Sequence, residues 1–92
     1  MSRNYKIVWR KLAKKFLDSL SRAEATIIVN KVEELVHDAD SVDLKKLQGY
    51  KSLYRVRSGD YRIVIEAFKG ELIVCVIAVG HRRDIYSKIK LL

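Results

Sequence analysis

The stretch Gly80-His81-Arg82-Arg83-Asp84-Ile85-Tyr86 gathers an imidazole, two guanidiniums and a phenol just past the apolar run Leu72–Val79. An imidazole titrates near neutral pH and can take up or release a proton. Guanidiniums grip phosphate with paired N–H groups and keep their charge. A phenol can stack on a base or orient a hydroxyl. Upstream, Tyr54-Arg55-Val56-Arg57 and Tyr61-Arg62 repeat the pairing of aromatic and guanidinium. These residue types bind phosphodiesters and shuttle protons, and they point to a surface that handles RNA.

Such groups act together only if the chain brings them to one surface, and the hydrophobic pattern suggests how. Asn4–Val8 is a short candidate strand, with Tyr5, Ile7 and Trp9 alternating against Lys6 and Val8. From Trp9 the period changes, and Trp9, Leu12, Ala13, Phe16, Leu17 and Leu20 fall on one helical face. Ser21 and Glu24 have capping-box spacing and open a second helix. Its stripe is Ala25, Ile28, Val29, Val32, Leu35 and Val36. His37-Asp38-Ala39-Asp40-Ser41 ends it, with His37 suited to a helix C-terminus. Leu44, Leu47 and Gly49 lie in a connecting segment of undefined structure.

Three strands are then expected. Leu53–Arg57 alternates, with Tyr54 and Val56 on one face and Leu53, Arg55 and Arg57 on the other. Ser58-Gly59-Asp60 signals a tight turn. In Tyr61–Phe68, Tyr61, Ile63, Ile65 and Ala67 oppose Arg62, Val64 and Glu66. Leu72–Val79 is apolar on both faces and belongs inside the sheet. Gly80 then frees the backbone to turn, and Asp84–Leu92 can form a last helix along Ile85, Ile89 and Leu92. The expected fold class is α+β: N-terminal strand, helical hairpin, three-stranded antiparallel meander, short C-terminal helix. Helices over Tyr54, Val56, Ile63 and Ile65 leave Arg55, Arg57 and Arg62 on an uncovered face.

The 92 residues suffice for one domain, 1–92, and with 49% of them apolar a core is within reach. A net charge of +8 calls for an acidic partner, whether nucleic acid, anionic membrane or protein; the bland alternative is a basic surface serving solubility. Cys75 is the single cysteine, so no intrachain disulfide forms, and it reads as a small core residue in a reducing compartment. No run approaches membrane-spanning length and Met1–Tyr5 has no signal-peptide apolar stretch, so a cytoplasmic protein with no membrane association is expected. Two separated histidines and one buried cysteine make no metal-ligand set, and no cofactor or glycine-rich phosphate loop is evident.

The ordered set Leu47-Gln48-Gly49, Leu53–Arg57, Gly59–Val64 and Gly80–Tyr86 resembles the RelE/ParE superfamily of bacterial toxins, and the resemblance covers nearly the whole chain. RelE-like members cut messenger RNA, usually in the ribosomal decoding site, and are held inactive by an antitoxin protein. ParE-like members instead poison DNA gyrase and lack the nuclease residues. The resemblance therefore implies a toxin partnered by a cognate antitoxin, with mRNA and the ribosome as targets in the RelE-like branch. Gyrase inhibition is the alternative, and an inactive relative that only binds antitoxin or RNA is a third reading.

Metal-free RNA cleavage needs a base for the 2′-hydroxyl proton, positive charge at the phosphorane-like transition state, and an acid for the departing 5′-oxygen. Carried onto this sequence, the RelE pattern falls on Arg55 and Arg57, Arg62, Arg82 and Tyr86. Arg62 would bind the scissile phosphate; its plain alternative is an ion pair with Glu66 on the same strand face. Arg82 or Arg83 would face the leaving group, and Tyr86 would stack on a base or orient the 2′-hydroxyl, unless it merely packs the terminal helix. RelE-like enzymes often carry lysines where Arg55 and Arg57 stand, and arginine cannot serve as a base. His81 is then the expected base, against the plain reading of an exposed turn residue, with Glu66 or a purely positional mechanism as alternatives.

Overall fold

The computed structural model describes residues 6–68, 73–81 and 83–85. Strand β1 is Lys6–Trp9, helix α1 Lys11–Asp18, helix α2 Arg22–His37, followed by a 3₁₀ turn at Ala39–Ser41. Strands β2 (Asp43–Lys46), β3 (Leu53–Ser58), β4 (Tyr61–Phe68) and β5 (Ile73–His81) complete the described elements. One sheet joins all five strands in the order β1-β5-β4-β3-β2. β2 through β5 run antiparallel, whereas β1 lies parallel to β5 with Lys6 opposite Ile73 and Trp9 opposite Val76. The expected α+β order is therefore present, with the three-stranded meander as β3–β5. The expected terminal helix Asp84–Leu92 lies largely outside the described residues.

Three local expectations need correction. The segment around Leu44 is a strand: β2 pairs with β3, Leu44 opposite Val56 and Lys45 opposite Arg55. Trp9 ends β1 rather than opening α1, because the ladder with β5 holds it and the Arg10 N–H donates to the Val76 carbonyl at 2.9 Å. Gly80 is no turn: β5 continues through it to His81, with Gly80 opposite Arg62 and His81 opposite Tyr61. The turn comes later, where the Asp84 N–H reaches the His81 carbonyl at 2.9 Å.

The main core lies between the helices and one sheet face. The helices contribute Ala13, Ile28, Val32 and Leu35, and the sheet Val56, Ile63, Ile65, Val76 and Val79, all buried. Each fully buried valine or isoleucine stabilises the fold by roughly 1.5–3 kcal/mol. The capping box at α2 is formed: the Ser21 hydroxyl oxygen accepts from the Glu24 N–H at 3.2 Å. Helix α1 has no side-chain cap, and packing against β5 holds it instead. Between β3 and β4 the two-residue turn Gly59-Asp60 uses a φ of 59° at Gly59, as primed hairpin turns require.

The opposite sheet face is not bare. Val64, Ala78 and Ile85 are fully buried there as a second small cluster, with Leu12, Leu47 and Ile77 against it. A β-bulge explains part of this arrangement. Val64 pairs with Ala78 while Ile65 pairs with Val76, so Ile77 has no partner in the ladder. No described helix is long and apolar enough to cross a membrane.

Candidate functional site

Alternation along β2, β3 and β4 builds a cationic field on the face away from the helices. Across it, Asp43, Arg57, Arg62 and Gly80 form one row, and Lys45, Arg55, Val64 and Ala78 the next. The expected gathering of Arg55, Arg57 and Arg62 on one face is thus what the register produces. Arg57 and Arg62 stand directly opposite each other, a like-charge pairing that weakens a sheet. Arg55 is drawn inward, 15% exposed, with its Nη2 3.8 Å from the Asp43 carboxylate. Asp43 is the acidic member of these rows, against Lys45, Arg55, Arg57 and Arg62, so the field stays strongly positive.

Arg62 is pinned at the turn end of the sheet. Its Nη1 donates to the carbonyls of Gly59 and Tyr61, each at 2.9 Å. No ion pair joins it to Glu66 among the described residues; Glu66 accepts from the Ser52 hydroxyl at 3.3 Å instead. The carbonyls of Gly59 and Tyr61 fix one edge of the Arg62 guanidinium against the turn.

His81 lies on the other side. It pairs with Tyr61, whose parity is that of the helix-covered face. The exposed imidazole sits on the Tyr61 ring with centroids 4.9 Å apart at 55°. The Tyr61 ring meets Phe16 edge-on at 6.0 Å, and its hydroxyl donates to Glu24 Oε2 at 2.7 Å. That bond, with the Ser21 hydroxyl donating to Glu24 Oε1 at 2.9 Å, holds the Glu24 carboxyl below the usual carboxylate range. The same bond pushes the Tyr61 phenol up. Sequence reading did not anticipate this Glu24–Tyr61–His81 line. Its only signal was Tyr61, placed by alternation on the face of Ile63 and Ile65.

The sheet therefore brings Arg55, Arg57 and Arg62 together but does not place His81 among them. His81 and Arg62 share the same end of the sheet, one strand apart, on opposite sides. Lys45 joins the cationic field, unseen from sequence because β2 was not. Arg83 is exposed beyond β5. Arg82 and Tyr86 lie outside the described residues. Among the described residues no three His, Cys, Asp or Glu side chains stand close enough to hold a metal ion.

A small basic α+β chain with a helical pair on one sheet face and arginines on the other has known counterparts. Residues 7–86 match the family model described as ParE toxin of type II toxin-antitoxin system, parDE, and the chain belongs to this family, within the RelE/ParE superfamily of toxins. It is 47% identical to Toxin RelE3 of Methanocaldococcus jannaschii over 46 residues, a match spanning half of this chain and half the length of that curated relative. A chain in the crystal structure of the RelB–RelE antitoxin–toxin complex from Methanococcus jannaschii is similar at 29% identity, with a TM-score of 0.71. The alignment covers 86% of this chain and 94% of that one. A mutant of E. coli toxin RelE in the free state shares the fold, with a TM-score of 0.76 at 24% identity, covering 98% of this chain and 99% of that one.

Proposed function

We propose that this protein is the toxin of a toxin–antitoxin pair and acts as a metal-independent endoribonuclease on ribosome-bound mRNA. The observation that carries the reading is the Arg57–Arg62 opposition beside Gly80, with Arg55 and Lys45 behind it. Such a row is unfavourable for the fold alone and suited to a phosphodiester. Membership of a toxin family and similarity to chains from RelB–RelE complexes support both the toxin role and a cognate antitoxin.

In this mechanism Arg62 binds the non-bridging oxygens of the scissile phosphate, and Arg55 and Arg57 hold the neighbouring backbone. A base takes the 2′-hydroxyl proton, O2′ attacks phosphorus, and the bond to the 5′-oxygen breaks. The products are a 2′,3′-cyclic phosphate and a 5′-hydroxyl; Arg82 or Arg83 steadies the departing 5′-oxygen by its charge while that oxygen takes its proton from water. His81 is the proposed base, reached by RNA that crosses the turn end of the sheet from Arg62 to the exposed imidazole. Tyr86 is proposed to orient the 2′-hydroxyl or stack on a base.

A second reading has its own support. The matching family is described by its ParE toxins, and Arg55, Arg57 and Arg62 on the cationic face are guanidiniums that cannot act as a base, with Lys45 beside them at the sheet edge. Both features fit a ParE-like, non-enzymatic inhibitor of DNA gyrase. Mapping mRNA ends in cells shortly after expression separates the two. New ends inside translated codons are expected. Intact mRNA with gyrase-linked DNA breaks would replace the nuclease with the inhibitor.

A further inference from the structure

On the arginine side of the sheet, beyond the Val64–Ala78–Ile85 cluster, lies a groove of about 770 Å³ between the start of α1 and the β2–β3 loop. Its floor is apolar, made by Leu12, Leu53 and Ile77. Tyr50, 44% exposed, stands at its side. Arg10, Lys11 and Lys51 supply a cationic rim. One carboxylate belongs to it, Glu66, opposite Leu53 in the sheet and steadied by the Ser52 hydroxyl at 3.3 Å.

Building on the RNA-binding reading above, we infer that this groove is a nucleobase subsite that admits a base bearing an exocyclic amino group and rejects uracil. The rim charges match a phosphate backbone, and the groove continues the arginine face. Four residues along β4 separate Glu66 from Arg62, about 13 Å at the rise of an extended strand, within reach of one bound strand. An apolar lining beside an exposed phenol suits a base lifted out of its stack. Glu66 decides which base. A carboxylate repels phosphate, so it belongs opposite a base edge, where it can only accept. An amino group donates to it. Uracil sets two carbonyl oxygens around its one N–H and so places acceptor against acceptor.

The test is fluorescence anisotropy of the full chain with short labelled cytosine and uracil homopolymers at fixed salt. The cytosine strand is expected to bind about ten-fold more tightly. Glu66→Gln keeps the size and adds a donor, so the preference should collapse towards unity as uracil binding strengthens. Tyr50→Ala should weaken both strands by about ten-fold. Arg57→Ala should weaken both alike and leave the ratio unmoved. If Arg57→Ala weakens binding while Glu66→Gln leaves the base preference unchanged, the subsite is overturned and the RNA reading stands. If the wild-type chain binds neither strand, both fall. If sedimentation shows a dimer that Tyr50→Ala dissociates with RNA affinity intact, the groove is a contact between copies and the subsite is likewise overturned.

Discussion

At the scale of single residues, the Arg57–Arg62 pair sets the proposed RNA contact against stability. Replacing Arg57 by threonine removes a like-charge opposition and supplies a β-branched strand residue. The variant should unfold at higher denaturant, by about 0.2–1 kcal/mol, while binding RNA less tightly. Arg62→Ala should weaken RNA binding and cleavage together, and should flatten the salt slope by about 0.7 for each phosphate it no longer neutralises. Full cleavage by a folded Arg62→Ala protein would remove Arg62 from the mechanism. His81→Gln should lower ribosomal cleavage by about 100-fold and leave RNA affinity nearly unchanged; wild-type rates with the same pH profile would place the base elsewhere. The sides occupied by Arg55, Arg57 and Arg62 were legible because β3 and β4 alternate cleanly. That of His81 was not. Straight alternation from Cys75 puts it among the arginines, and the extra residue at Ile77 reverses the parity of everything after it. An apolar run on both faces gives no sign of where such a bulge falls.

At the scale of elements, the tie from the start of α2 to β4 has a pH signature. The Glu24 carboxyl is lowered chiefly by the Tyr61 hydrogen bond, so its contribution is in place above the unfolded glutamate pKa of about 4.3 and is lost as pH falls through the folded value. The Tyr61 phenol is raised by the same bond, so its contribution is in place below about 10 and is lost as pH rises through the folded value. Tyr61→Phe keeps the ring against Phe16 and His81 but removes the donor. NMR titration should then show the Glu24 carboxyl moving back up; an unmoved titration would mean the bond is absent in solution. Gly59→Ala forces a side chain into positive φ and should cost about 1 kcal/mol by denaturant unfolding. It also shifts a carbonyl that anchors Arg62. The helices were readable from their stripes and from the Ser21–Glu24 box. β2 was not, since a four-residue edge strand with Leu44 as its one apolar member has no alternation to read, and its flanking charges serve to blunt the sheet edge.

At the scale of the whole molecule, a net charge of +8, with Lys45, Arg55, Arg57 and Arg62 gathered on one sheet face, predicts an acidic partner that covers that face. Expressed alone, the protein should arrest growth. High-level accumulation of folded wild-type protein without effect on growth would count against a toxin of either kind. The parallel pairing of β1 with β5 adds a temporal consequence. Lys6 and Trp9 leave the ribosome early but find their partners, Ile73 and Val76, only near the end of synthesis. Pairings so distant in sequence form late, because the loop must close before its closure is rewarded. β5 also carries Gly80 and His81, so the strand that completes the sheet delivers part of the site as well. At about 5–20 residues per second, the chain spends seconds emerging in a form that cannot yet act. Under the ribosomal reading proposed above, a ribosome translating this message would be spared its own product until the chain is nearly made.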